Sequence, residues 1–266
     1  MIGPWWRSLR QHRDARALRR RAIAESLWQH CIAALPFVAS RPADELQRLR
    51  RLASLFLDSK EFSGAQGFEV SDEIALAVAV QACLPILELG LAQYDGFVGI
   101  VMHGDAVVAR REVTDEHGVV HAYDEELAGE AMEGGPLMLS WADVLPQAEA
   151  SSMPYNVVIH EFAHVLDMRD GQADGVPALT SAAARRAWLD VLMPEYDRLR
   201  ERVVCGHDTV LDPYGAQAEE EFFAVASEAF FVSPDAMKKE HPALYGMLCR
   251  FYGQDPAVDQ PPPRRP

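Results

Sequence analysis

The stretch Val157-Val158-Ile159-His160-Glu161-Phe162-Ala163-His164-Val165-Leu166 restricts the fold more than any other part of the sequence. Two histidines four residues apart converge on one point only when the backbone between them is helical, since a helix stacks positions i and i+4 on one face. Glu161 is then turned by about 100 degrees from His160, which lets it address a water at the metal instead of competing as a ligand. The flanks, 157–159, 162–163 and 165–166, carry no charge, as a helix with its back in a core requires. Neutral imidazoles and a carboxylate in tetrahedral geometry, with a fourth position left for water, are the ligand chemistry of zinc. The spacing therefore predicts a helix from Asn156 to about Met168, with His160 and His164 as metal ligands and Glu161 as general base.

Two histidines need a third protein ligand. The tract Glu219-Glu220-Glu221-Phe222-Phe223-Ala224-Val225-Ala226-Ser227-Glu228 offers four carboxylates. Glu221, Val225 and Glu228 share one helical stripe, and the small residues Ala224 and Ala226 permit close packing against the histidine helix. Helical geometry leaves Glu221 and Glu228 both open, while Glu219 and Glu220 fit a solvated first turn. Asp170, six residues after His164, is a competing ligand. That arrangement needs a glycine at position 167 to turn the chain, and residue 167 is Asp. Asp167 and Asp170 read instead as hydrogen-bond acceptors behind the site or as loop charges.

With 266 residues the chain can bury a full core without disulfides. Cys31, Cys83, Cys205 and Cys249 show no CxxC spacing and fit free thiols in a reducing compartment. No apolar run approaches membrane-spanning length, and the N-terminus lacks the order of a secretory signal, so a cytoplasmic protein is expected. The net charge of -15 is uneven: residues 1–60 hold 12 Lys/Arg against 5 Asp/Glu, or +7, which leaves -22 for the rest. So acidic a body argues against direct nucleic acid binding.

Along the chain, residues 12–33 have helical composition, and a second helix is expected from Pro42 to about Asp58 with Leu46, Leu49, Leu52, Ala53 and Phe56 on its apolar face. Phe62 to Val70 reads as a turn-rich link, and Ser71 opens an apolar helix to Leu89 that Pro85 interrupts. Val98–Val101, Ala106–Val108, Gly118–Val120 and Gly135–Trp141 are candidate strands, with the acidic stretch Asp124–Glu133 as a surface loop. Leu137 to Trp141 is the expected cleft-edge strand. Further helices are expected at about 181–202, 217–231 and 241–252. The resulting organisation is a basic, partly helical N-terminal arm (1–40), one compact domain (41–252) and a disordered proline-rich tail (253–266).

The chain resembles the Mlc titration factor A family of bacterial zinc metallopeptidases. The resemblance rests on Gln66-Gly67-Phe68-Glu69, Leu84 through Leu91, Asp95-Gly96-Phe97, Gly135-Pro136-Leu137 with Ser140-Trp141, and His160 through Gly171. It continues through Gly175-Val176-Pro177, Asp212 with Tyr214, Glu221 with Phe223-Ala224-Val225, Ser227-Glu228 and Phe230-Phe231. The Arg-rich N-terminus and the proline tail depart from it. It implies an α+β, zincin-like metallopeptidase fold with a small mixed sheet, a catalytic core similar to that of the anthrax lethal factor peptidase domain, and one Zn2+ per chain. It also implies Glu221 as the third ligand beside His160 and His164, and Glu161 as base. Tyr214, which matches a family tyrosine on a Gly- and Pro-flanked loop, is the candidate donor to the developing oxyanion. His207 on the same loop is read as a surface residue. The expected function is zinc-dependent hydrolysis of a peptide or protein substrate, with endopeptidase and aminopeptidase action both open. The alternative implied by resemblance is a regulatory protein that sequesters a transcriptional repressor.

Overall fold

A computed structural model describes residues 4–105, 107–114, 120–127, 129–131, 135–145 and 155–259. The expected strand residues Ala106, Gly118 and Val119 and the proline run from 260 onward lie outside the described residues.

The chain begins with helices α1 (Pro4–Arg20), α2 (Glu25–Ala33), α3 (Pro36–Ala39) and α4 (Ala43–Ser59). The single helix expected over 12–33 is thus two, parted by residues 21–24. Trp28, Cys31, Leu35 and Val38 join the same core as the rest of the chain, so the first forty residues are packed onto the body from α2 onward. In α4 the buried positions Leu49, Ala53 and Phe56 fall on the predicted face. Strand β1 (Glu61–Gly64) follows, where only a link was expected. Helix α5 (Asp72–Cys83) is capped by Ser71, whose Oγ accepts the Ile74 N–H at 3.3 Å. It stops at Cys83, short of the expected Leu89, because Pro85 has no amide proton to return to the Gln81 carbonyl.

Strands β2 (Gly99–His103), β3 (Val107–Thr114), β4 (Val120–Leu127), β5 (Gly129–Ala131) and β6 (Leu137–Ser140) come next, and a short helix α6 (Trp141–Val144) follows. The main sheet has the order β1-β2-β6-β5, parallel except for β5, which pairs antiparallel with β6. Strands β3 and β4 form a separate two-stranded antiparallel ribbon. Asp124–Leu127 and Gly129–Ala131, expected as loop, are therefore strand. The expected cleft-edge strand, β6, lies inside the sheet between β2 and β5. The edge belongs to β5.

The second half is helical: α7 (Val157–Asp167), α8 (Ala182–Val204), α9 (Glu219–Val232), α10 (Pro234–Glu240), α11 (Pro242–Tyr252) and α12 (Pro256–Asp259). The start of the expected tail is fastened down, since Gln254 is buried and its Nε2 donates to the Leu84 carbonyl at 2.9 Å. The architecture is α+β, rich in helix. Among the described residues no helix is long and apolar enough to cross a membrane.

Two aromatic groups seat the helices that carry the site. Phe162, on the back of α7, meets Tyr94 at 4.8 Å, Phe56 at 5.7 Å and Phe97 at 5.9 Å between ring centroids. Phe230 and Phe231 of α9 pack on Tyr252 of α11 at 5.5 and 4.9 Å. Rings at these separations prefer offset-stacked or edge-on contacts, which fix the roll of each helix as well as its position. Lys60, at the joint of α4 and β1, is buried. Its ammonium sits 3.8 Å over the Phe97 ring and donates to the carbonyls of Tyr94 and Phe97.

Candidate metal centre

Helix α7 opens at Asn156, whose Oδ1 accepts the Ile159 N–H at 2.9 Å. The Asn156 side-chain amide in turn donates to Gln81 Oε1 at 2.6 Å, and Gln81 Nε2 donates to the carbonyls of Ala77 and Val144. A buried polar chain of this kind is stable only when each member is satisfied. It pins the first turn of α7 to α5 and α6. The sequence signal for it was Gln81, the lone polar residue in the apolar interior of α5.

From that start His160 and His164 project from one face of α7 toward α9. Their Nε2 atoms stand 3.2 Å apart, and Glu221 Oε2 lies 3.0 Å from His160 Nε2 and 3.4 Å from His164 Nε2. These three are the group able to hold a metal ion among the described residues. For a tetrahedral ion with bonds of about 2.0–2.1 Å, neighbouring donor atoms stand about 3.3 Å apart. The triangle has that size, so the residues fit a zinc-sized ion.

Glu228, the other carboxylate on the α9 stripe, meets the opposite side of His160. Its Oε1 lies 2.7 Å from His160 Nδ1, and its Oε2 accepts the Asn156 N–H at 2.5 Å. In the neutral tautomer that a metal would select, with the proton on Nδ1 donated to Glu228, the His160 ring would present its Nε2 lone pair to the centre of the triangle. About two helical turns thus separate two different jobs on one stripe.

The electrostatics follow the contacts. Burial pushes the His160 imidazole down, but the hydrogen bonds to Glu221 and Glu228 outweigh it and hold the ring well above the ordinary histidine range. Burial works against ionisation of Glu221 too, yet its bonds to both histidines bring the carboxyl down to about 2. In Glu228 burial prevails and raises the carboxyl, despite the offsetting bonds from His160 and Asn156.

Glu161 is 6% exposed and burial raises its carboxyl, with the nearby histidines opposing the shift. The Ala131 N–H of strand β5 bonds to it. Gly129 of the same strand lies so close that a Cβ there would come within 2.5 Å of Glu161 Cγ. The edge strand therefore both holds the carboxylate and leaves a gap for it. Nothing in the spacing of Gly129 announced this contact.

Tyr214 lies in a 3-10 turn (Pro213–Ala216) leading into α9, where its N–H donates to Asp212 Oδ1 at 2.8 Å. Its ring centroid is 5.9 Å from that of His160, and the residue is 39% exposed. Asp170 is elsewhere. It sits in the turn after α7, accepts the Gln172 N–H and stands 3.9 Å from Arg185. Asp167 is buried and accepts the Gly175 N–H at 2.8 Å. Gly175, at φ +73°, passes so close to the start of α9 that a Cβ would lie 2.4 Å from the Glu219 carbonyl oxygen. This crossing ties the end of α7 to the first turn of the helix that bears Glu221. His207 is exposed.

Comparison with known proteins gives the family of the chain. Residues 6–253 match the family model described as glucose-regulated metallo-peptidase M90. An uncharacterised protein of Synechocystis sp. is 36% identical over 226 residues, which cover 85% of this chain and 82% of the relative. Proteins named Mlc titration factor A are 34% identical in Cronobacter sakazakii, covering 89% of each chain, and 35% identical in an Enterobacter species, covering 86% of each.

Proposed function

Because the chain belongs to the glucose-regulated metallo-peptidase M90 family, we propose that it is a zinc-dependent, zincin-like peptidase acting from the cytoplasm on peptide or protein substrates. The observation that carries this reading is the donor triangle of His160, His164 and Glu221, with edges of 3.0, 3.2 and 3.4 Å beside a buried Glu161. A bound zinc would supply Lewis acidity toward the scissile carbonyl and make a water acidic enough to deprotonate near neutral pH.

The chain's own groups do the rest. Glu161 takes the proton of the attacking water and passes it to the leaving amine. A carboxyl raised by burial suits both halves of that transfer. The Ala131 N–H keeps the Glu161 carboxylate oriented between the two events. Glu228 fixes the tautomer and roll of His160, and Tyr214 supplies a hydroxyl toward the carbonyl oxygen as negative charge develops there.

The test is zinc stoichiometry by elemental analysis on wild type, Glu221→Ala, Glu228→Ala and Asp170→Ala, each also assayed against a mixed peptide library. One zinc per chain, abolished in Glu221→Ala together with cleavage and retained in Asp170→Ala, is the expected result. Absence of zinc from the supplemented wild type would overturn the mechanism. A second reading draws on the name shared by several relatives, Mlc titration factor A: the chain binds a transcriptional repressor. Full zinc without cleavage, together with repressor binding that survives Glu161→Gln, would favour it.

A further inference from the structure

A cavity of about 230 Å³ is bordered by Phe97, Ala131, Leu137, Val165, Met168 and Arg169. Three observations connect it to the site. Ala131, whose N–H bonds the Glu161 carboxylate, is part of its wall. Val165 is one helical turn beyond Glu161 on α7, and Met168 and Arg169 follow in the 3-10 turn that ends this helix. Leu137 pairs with Ala131 across β5 and β6, so the sheet edge and the helix face close on the same space.

The lining decides what fits. Phe97, Leu137, Val165 and Met168 give an apolar interior, while Asp95 and Arg169 are exposed at the mouth. The Arg169 charge is engaged at the rim, where its Nη1 donates at 2.7 Å to the carbonyl of Ala92, which also borders the cavity. A cavity of about 150 Å³ accepts a benzene ring. The space here holds one long aliphatic or aromatic side chain and is too small for two.

We propose that this cavity is the selectivity pocket of the enzyme: it takes one leucine-, methionine- or phenylalanine-sized side chain from the substrate residue beside the cleaved bond. This rests on the peptidase reading above, and the experiment separates the two.

Zinc-loaded wild type, Val165→Phe and Met168→Ala are compared on a mixed peptide library, with products read by mass spectrometry. Wild type should prefer Leu, Met or Phe over Ala at one position flanking the cut by about tenfold or more, the discrimination expected for a few methylenes in an apolar pocket. Val165→Phe, which fills the cavity, should lower that ratio by about tenfold. Met168→Ala, which enlarges it, should shift the preference toward Phe and Trp. Identical profiles in all three proteins would overturn the pocket while leaving the peptidase reading intact. If wild type cleaves nothing, the peptidase reading fails, and calorimetric titration with Ala-Leu-Ala and Ala-Ala-Ala tests the cavity alone. Tighter binding of the leucine peptide that is lost in Val165→Phe supports it, and equal binding of both peptides by wild type overturns it.

Discussion

Substituting alanine for Gly129 should abolish the proposed peptidase activity without replacing a ligand or a catalytic group. The added Cβ would stand 2.5 Å from Glu161 Cγ, 2.7 Å from Oε1 and 2.8 Å from Cδ. Carbon contacts are comfortable at about 3.5–4.0 Å, so one partner must give way by about 1 Å. If the side chain moves, the carboxylate leaves the place where it meets the water. If strand β5 moves, the Ala131 N–H that holds the carboxylate moves with it. Either displacement, at about 1 Å, is expected to cost roughly 100-fold in kcat/KM. The assay is cleavage of a library-selected peptide at matched zinc occupancy, with elemental analysis and thermal unfolding as controls. Zinc content should remain one per chain, since Glu161 is not a ligand in this scheme. A Gly129→Ala protein that keeps its zinc and retains kcat/KM within about threefold of wild type would refute the idea that β5 positions the base.

Three further outcomes follow from other contacts. Gly246→Ala serves as a counterpart, because Gly246 lies inside α11 and its Cβ would come no nearer than 3.7 Å to Arg250 Nη1. It should raise stability by about 0.5–1 kcal/mol in denaturant titration, and a loss would contradict the packing described. Glu228→Gln should weaken zinc binding by about 10–100-fold in a chelator competition, whereas unchanged affinity would remove Glu228 from its place behind His160. Burial lifts the Asp167 carboxyl from 3.8 to about 6. The fold thus favours its protonated form, a contribution fully present below pH 3.8 and lost as pH rises through 6, worth about 3 kcal/mol in total. About 2 kcal/mol of that falls between pH 4.5 and 7.5, so Asp167→Asn should gain about this much relative to wild type over that range. A stability difference that is flat with pH would show that Asp167 does not titrate in this way.

The two histidines and Glu161 were legible because their chemistry is local: five residues of one helix, His160 to His164, fix their relative positions. Glu221 and Glu228 were not separable by that route, since both lie on the stripe of α9 that faces α7. What distinguishes them is which nitrogen of His160 each one meets, a matter of how two helices roll against each other. The roll is set by Phe162 against Tyr94 and by Phe230 and Phe231 against Tyr252, contacts distant in sequence. The sheet was harder to read. Glu61-Phe62-Ser63-Gly64 has no apolar alternation, yet it becomes β1 because its backbone pairs in parallel with Gly99–Met102. The acidic residues Asp124–Glu126 become strand through pairing with Val108–Arg110. Backbone pairing does not depend on side-chain polarity, so composition misread both segments.

Lys60 gives the wall of the cavity a variable stiffness. Phe97 and its neighbours are not fastened to α7 by hydrophobic contact alone; a single ammonium group clips their backbone to the far end of the sheet through the carbonyls of Tyr94 and Phe97. Burial lowers the pKa of that lysine to about 8, so in mildly alkaline solution an increasing share of molecules carries a neutral amine with a weaker grip on both carbonyls. The breadth of side chains admitted would then depend on how firmly one proton, far from any metal ligand in the sequence, braces the loop.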